Sequence, residues 1–436
     1  MQSARYLAVK LLGRTEEEGS YSNLLLDQAL AASQLSPPDK KLCAQLYYGV
    51  IERRLTLLHI LRGYSKKPPE KLDTAVRNIL LLGLYQLKYC EKIPDRAAVN
   101  ESVALTKQFR KASASGFVNA VLRSFLRNGK EIRLTGTQQE RMEVQYSVPA
   151  ALCQKILTER GTEFAEAFLA DALQTPPTTI RLNPLRGTAE ALEQEGFSPV
   201  SLERLPHAYT ISAADVRKSE AFQKGMFHVQ DLSSQLCCAI LDPQPEETVL
   251  DMCAAPGGKS FTIAERMENR GTVLSFDLHE HRVRLITDGA QRLGLTCITA
   301  KTGDAAVFDP ELPQADRILC DVPCSGFGVI RRKPEIRYKP LTEFAELPEL
   351  QYRILENAAR YLKKGGILVY STCTILRAEN EDVVQRFLDA HDDFELVPLT
   401  EFGFAEGQAV FSVLYDNCDG FFAARLRRKE DAHAET

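Results

Sequence analysis

The chain has 436 residues, 44% of them apolar and 26% charged, with a formal net charge of −4, and that length allows two or three domains with separate cores. No apolar run reaches the roughly 18 residues of a membrane span, and the amphipathic, acid-bearing start has no signal-peptide cleavage pattern, so a cytoplasmic protein is expected. The 11 cysteines are scattered singly apart from Cys237-Cys238 and form no paired C-x-x-C set. This suits free thiols in a reducing compartment, with no disulfide framework and no metal site.

Residues 1–130 predict an all-helical bundle. Arg5–Leu12, Asn23–Ala32, Asp39–His59, Leu72–Tyr89, Ala97–Arg110 and Gly116–Leu126 carry apolar residues at three- and four-residue spacing. The breaks fall at Gly19-Ser20, Ser36-Pro37-Pro38, Pro68-Pro69 and Pro94-Asp95. Residues 1–135 hold 22 Lys and Arg against 12 Asp and Glu, a basic front that reads equally as a surface for a polyanionic partner or as a solvated helical face.

Asn128-Gly129 to Gly136 marks a linker. Residues 131–230 read as linker plus a small α+β bridging domain, with helices at Pro149–Arg160 and Glu163–Leu173 and short strands at Thr178–Leu182, His207–Ile211 and Met226–Val229.

From 231 to 430 the pattern alternates. Strands are expected at Thr248–Met252, Gly271–Asp277, Cys297–Ala300, Arg317–Val322 and Gly366–Ser371. Helices are expected at Leu232–Leu241, Ser260–Met267, Glu280–Leu293, Leu350–Leu362 and Ala378–Ala390. Short apolar strands between helices predict a doubly wound, Rossmann-like α/β sheet. Val410–Tyr415 and Gly420–Leu426, joined at Asp416-Asn417, predict a closing hairpin with at least one antiparallel strand, and Arg427–Thr436 a frayed tail.

The stretch TVLDMCAAPGGKS at 248–260 is a strand, a small-residue turn and a helix start, an arrangement that presents backbone N–H groups to an anionic ligand. Gly258-Lys259-Ser260 resembles the end of a phosphate loop, but Cys253 stands where that loop needs its first glycine and Pro256 lacks an N–H. No G-x-G-x-x-G is present, which argues against NAD. Asp277 ends the next strand 19 residues after Gly258, where a carboxylate meets ribose hydroxyls, and Asp304 and Asp321 follow the next two strands. Any one of these acids alone reads more readily as a helix cap. Together, beside the loop, they point to a nucleoside with an amino-acid arm, S-adenosylmethionine.

Cys324 follows the fourth of these strands in DVPCSG and Cys373 the fifth in YSTCT. Cys43, Cys90, Cys237, Cys238 and Cys320 read as buried core thiols. Cys324 and Cys373 lie among turn residues past strand ends, where adjacent parallel strands would present both to a methyl donor. A thiolate beside a methyl donor suits methylation of pyrimidine carbon 5, because addition to carbon 6 makes carbon 5 nucleophilic. Asp321 is the expected partner of the ring nitrogen and exocyclic amine. Which thiol attacks is open at this point.

DMCAAPGGKS, DVPCSGFGVIRRKPEIRY, LVYSTCTILRAENEDVV and DGFFAARLRR resemble the motifs of the RNA 5-methylcytosine methyltransferases. AAVNESVALTKQF and GFVNAVLRSFLR are similar to the helical NusB family. The resemblance implies that Cys373 is the nucleophile and Cys324 assists release. It implies cofactor contacts from Cys253, Ala254, Ala255, Pro256, Gly257, Gly258, Lys259, Asp277, Asp304 and Asp321, with Arg282 a further candidate. It also implies a cytosine of unassembled small-subunit ribosomal RNA as substrate, no membrane or metal, and action as a monomer. Arg53-Arg54, Lys66-Lys67, Arg110-Lys111 and Arg331-Arg332-Lys333 are the expected phosphate contacts. A non-catalytic RNA assembly factor and an NTPase are the competing classes.

Overall fold

Ser36 accepts the N–H of Asp39, and Asp73 those of Ala75 and Val76, so two helices begin on polar caps. The computed structural model describes residues 3–18, 22–197, 200–201, 205–211, 216–412, 414–415 and 418–430. The chain divides into two units, Met1–Gln174 with Ile330–Lys339, and Thr175–Val329 with Pro340–Thr436.

The first unit is helical: α1 (Ala4–Glu18), α2 (Ser22–Ala32), α3 (Pro37–Glu52), α4 (Arg54–Tyr64), α5 (Thr74–Tyr89), α6 (Asp95–Gln108), α7 (Ser115–Arg127), α8 (Gln138–Tyr146), α9 (Ala150–Arg160) and α10 (Thr162–Asp171). Helix α5 is buried on nearly every side, from Asn78 to Leu87, as its apolar run requires. The single helix expected over Asp39–His59 is two, broken at Arg53. No glycine or proline marks the break. Instead Tyr338 OH donates to Ile51 O at 2.6 Å and Arg337 Nη1 to Glu52 O at 3.2 Å, taking up carbonyls that a continuing helix would need. Helix α8 starts on a capping box between Thr137 and Glu140, a signal present in the sequence but not used above.

The second unit opens with a small antiparallel sheet of β1 (Thr178–Leu182), β2 (Val200–Ser201), β3 (Ala208–Ile211) and β4 (Phe227–Val229), in the order β2-β3-β1-β4. Helices α11 (Ala189–Gln194) and α12 (Glu220–Gln223) lie between its strands in sequence. Residues 131–230, read above as one piece, are thus divided at Gln174–Thr175. On the first side Thr56 Oγ1 donates to Val144 O at 2.6 Å, tying α8 to α4. On the second, a buried ion pair between Arg181 and Glu265 at 2.7 Å ties the small sheet to the larger domain.

That domain runs α13 (Leu232–Leu241), β5 (Thr248–Asp251), α14 (Gly258–Arg266), β6 (Thr272–Asp277), α15 (Glu280–Leu293), β7 (Ile298–Thr302), β8 (Ala315–Asp321), α16 (Leu347–Ala359), β9 (Leu362–Thr372), α17 (Glu381–Ala390), β10 (Phe394–Leu396), β11 (Gln408–Phe411) and β12 (Phe421–Arg428). The sheet order is β10-β12-β9-β8-β5-β6-β7, with β11 paired to β12. Strands β5 to β9 are mutually parallel, and β10, β11 and β12 join antiparallel. The expected hairpin is β11–β12; its Asp416-Asn417 turn lies outside the described residues, as does 431–436. From β5 the chain steps outward to β6 and β7, then crosses back to β8 on the other side. This places the topological switch point between β5 and β8, where open α/β sheets bind ligands.

Candidate active site

The loop after β5 is built to come close to a ligand. Gly257 has φ +107°, in the left-handed region, and a Cβ there would lie 2.4 Å from the Phe261 ring. Helix α14 begins at the next residue, so its N-terminus lies at the carboxyl end of β5, beside the switch point. Beneath the loop Asp251 is fully buried and accepts Ser260 Oγ–H at 2.7 Å, while Ser275 Oγ donates to Ser260 Oγ at 2.8 Å. Burial pushes the Asp251 carboxyl up to about 7. Burial likewise pushes the Cys253 thiol well up.

Lys259 is held by neighbouring side chains. Its Nζ donates to Asp321 Oδ2 at 2.8 Å and to Ser234 Oγ at 3.2 Å. Burial opposes its charge, but the Asp321 carboxylate outweighs that and holds the ammonium above its ordinary range. Asp321 also accepts Ser371 Oγ–H at 3.0 Å, which links the ends of β8 and β9.

Asp277 is 5% exposed, accepts the N–H of His279 at 3.1 Å and pairs with Arg282 at 3.0 Å. Arg282 also donates to Ala255 O at 3.2 Å, so it joins the loop to the acid. Asp304 is exposed and caps the turn at Ala306 N. A cavity of about 270 Å³ lies beside it, lined by Met252, Phe276, Gly303, Asp304, Ala305 and Val307 among others. Leu278, next to Asp277, and Val307, which lines the cavity, are each 58% exposed. Acids for hydroxyls and an amine, apolar surface for a flat ring and a helix N-terminus for a carboxylate together fit an adenosyl amino acid.

The two thiols meet. Cys324 and Cys373 sulfurs are 3.1 Å apart, and the Cys373 N–H donates to Cys324 Sγ at 3.3 Å. The register explains it: Asp321 pairs with Ser371 on adjacent parallel strands, and each cysteine follows shortly after. The loops are further pinned where Gly328 N donates to Cys373 O at 3.0 Å and Gly420 N to Gly328 O at 2.9 Å. A Cβ on Gly328 would stand 1.9 Å from Gly420 O, so this crossing needs glycine. The Cys324 thiol is held well above its ordinary range, first by its hydrogen bond to Cys373 and then by burial.

The cofactor and thiol residues named from the sequence therefore lie in one unit, at or just past the ends of β5, β6, β7, β8 and β9. Gln351, Glu379 and Asn380 were not singled out, although they bond the thiol-bearing loops directly. For Glu379 and Asn380 the sequence hint was their place in AENED, at the end of the Thr-Cys motif; Gln351 had none. Part of the basic set does not serve as read: Arg331 is 5% exposed and pairs with Asp171 at 2.9 Å within the helical unit. Arg54 pairs with Glu16 and Lys111 with Asp73, whereas Lys66 and Lys67 are exposed. Among the described residues there is no group of three metal-ligating side chains, and no helix is long and apolar enough to cross a membrane.

Comparison with known proteins agrees with this layout. Residues 238–427 match the family "16S rRNA methyltransferase RsmB/F", and residues 2–127 match the "NusB family". The chain is 40% identical to "Probable ribosomal RNA small subunit methyltransferase B" of Bacillus subtilis (strain 168), over 98% of this chain and 99% of the relative. It is 33% identical to "Ribosomal RNA small subunit methyltransferase B" of Sodalis glossinidius (strain morsitans), over 98% of each. The solved structure "Crystal Structure of PH0851" aligns with a TM-score of 0.79 at 26% identity, over 97% of this chain and 98% of its own.

Proposed function

The chain belongs to the 16S rRNA methyltransferase RsmB/F family, and on that premise we propose that it moves a methyl group from S-adenosylmethionine to carbon 5 of one cytosine in small-subunit (16S) ribosomal RNA. The observation that carries this reading is the thiol pair, 3.1 Å apart at the carboxyl edge of the sheet, with Asp321 at the end of β8. S-adenosylmethionine, seated against Cys253–Lys259, Asp277 and Asp304, supplies a methyl group on a positively charged sulfur.

In this reading Cys373 Sγ adds to carbon 6 of the cytosine, and the displaced π-electron pair makes carbon 5 the nucleophile that takes the methyl group. Asp321, paired with Lys259 at 2.8 Å, accepts the exocyclic amine N–H, and the proton that the Cys373 thiol gives up passes to the ring nitrogen as electron density builds there. Release requires loss of the carbon-5 proton. Its electron pair re-forms the carbon 5–carbon 6 double bond, and the carbon–sulfur pair returns to Cys373. Cys324, beside Cys373, assists this second half. The base must be unpaired and turned out of its stack to reach both sulfur and methyl group. The NusB-like domain, 1–130, would hold the RNA backbone through cations such as Lys66 and Lys67, acting on rRNA before assembly is complete, as a cytoplasmic monomer.

The test is a gel assay for an RNA adduct that survives denaturant. Cys373→Ala is expected to abolish both turnover and adduct, and Cys324→Ala to accumulate adduct. Adduct with Cys373→Ala and normal turnover with Cys324→Ala would overturn the assignment. Bisulfite sequencing of 16S rRNA from cells lacking the protein tests the base and carbon.

A further inference from the structure

A buried carboxylate with no cation beside it is costly to keep, and Glu379 is one. It is 2% exposed, and among the described residues no Lys, Arg or His forms an ion pair with it. Its oxygens instead take three neutral donors. Ser325 gives its N–H at 2.9 Å and its Oγ–H at 2.5 Å, and Gln351 gives Nε2–H at 3.0 Å. Gln351 donates as well to Pro323 O at 2.9 Å. Pro323 and Ser325 flank Cys324, so the carboxylate grips the turn that carries that thiol.

The next residue does the same for the other thiol. Asn380 Oδ1 accepts Thr372 Oγ1–H at 2.6 Å, and Asn380 Nδ2 donates to Thr374 O at 3.0 Å. Thr372 and Thr374 flank Cys373. The Glu379–Asn380 step is itself anchored, because Tyr370 OH donates to Glu379 O at 2.5 Å.

We propose that Glu379 and Asn380 are positioning residues with divided roles, Glu379 fixing Cys324 for release and Asn380 fixing Cys373 for attack. The roles of attack and release rest on the reading given above; the division of the two grips does not. The Glu379 charge adds to the hydrogen bond and burial that keep the Cys324 thiol protonated. A glutamine there would remove that charge and turn an N–H toward donors that need an acceptor.

The grips are tested in the free, full-length protein by iodoacetamide alkylation, read by mass spectrometry of the two cysteine peptides. Glu379→Gln is expected to speed alkylation of Cys324 about tenfold and to leave Cys373 within about twofold. Asn380→Ala is expected to do the reverse. Equal changes at both thiols, or none, would overturn the division. If Glu379→Gln fails to fold, Gln351→Leu, which removes the bonds to Glu379 and Pro323 O and touches neither Thr372 nor Thr374, must give the Cys324 pattern.

The roles are tested with RNA. Glu379→Gln is expected to retain adduct as Cys324→Ala does, and the double variant to turn over no more slowly than Cys324→Ala alone. Loss of adduct with Glu379→Gln, or an additive double variant, would overturn the role of Glu379 in release. If Cys324→Ala itself retains no adduct, the thiol assignment fails, while the alkylation result still decides the grips.

Discussion

Asp251 shows what one residue can hide. In the sequence it is the last letter of an apolar strand, and only its burial beneath the donor loop reveals a carboxyl pushed up to about 7. Its native pKa lies above the ordinary value of 3.8, so the folded state binds more protons than the unfolded one between those two pH values. Stability must then fall as pH rises from about 4 to about 7, by at most roughly 1.4 kcal/mol per unit, and stay low above that window. Asn keeps an oxygen for Ser260 and cannot ionise. Urea midpoints at pH 4.5, 6 and 8 are therefore expected to drop in the wild type relative to Asp251→Asn, with parallel profiles counting against the assignment. The paired thiols were legible for the opposite reason. Cys324 and Cys373 sit in short local motifs, and two neighbouring parallel strands suffice to bring them together.

At the scale of elements, strand–loop–helix units were the most readable part of the chain. Leu232–Leu241 and Glu280–Leu293 have the limits expected, because caps and apolar spacing are local signals. The α3–α4 break was not readable, since its cause lies 285 residues away at Arg337. The β5–loop–α14 unit gives a sharp prediction. Gly257→Ala forces a Cβ into the left-handed region and to within 2.4 Å of Phe261, on the loop proposed to seat the methyl donor. Calorimetric titration with S-adenosylmethionine is expected to show affinity reduced at least about tenfold, the equivalent of 1.4 kcal/mol, with the sheet still folded by circular dichroism. Unchanged affinity would mean the loop does not contact the donor.

The whole molecule adds a chain path that no local pattern announces. After Val329 the chain leaves the sheet unit, gives Ile330–Lys339 to the helical unit, and returns at Pro340. The centre of that insert is Arg337, fully buried. Its Nη1 donates to Glu52 O at 3.2 Å and Tyr146 O at 3.5 Å, and its Nη2 to Ala172 O at 2.9 Å and Ile330 O at 3.0 Å. Glu52 ends α3, Tyr146 ends α8 and Ala172 caps α10. One guanidinium thus serves the C-termini of three helices, where orphan carbonyls and the negative dipole end both favour a cation. Arg331 adds its pair with Asp171. RRKPEIRY, which as sequence looks like a basic RNA contact, is therefore in large part internal scaffold. Arg337→Met would leave those carbonyls without their donor, at a cost of about 1–3 kcal/mol for each one that finds no other partner. Hydrogen exchange on the full chain is expected to quicken at the ends of α3, α8 and α10 and at 330–339, while β5 to β9 keep their protection. Faster exchange spread evenly over both units, or none, would show that the insert is not what holds the helical unit together.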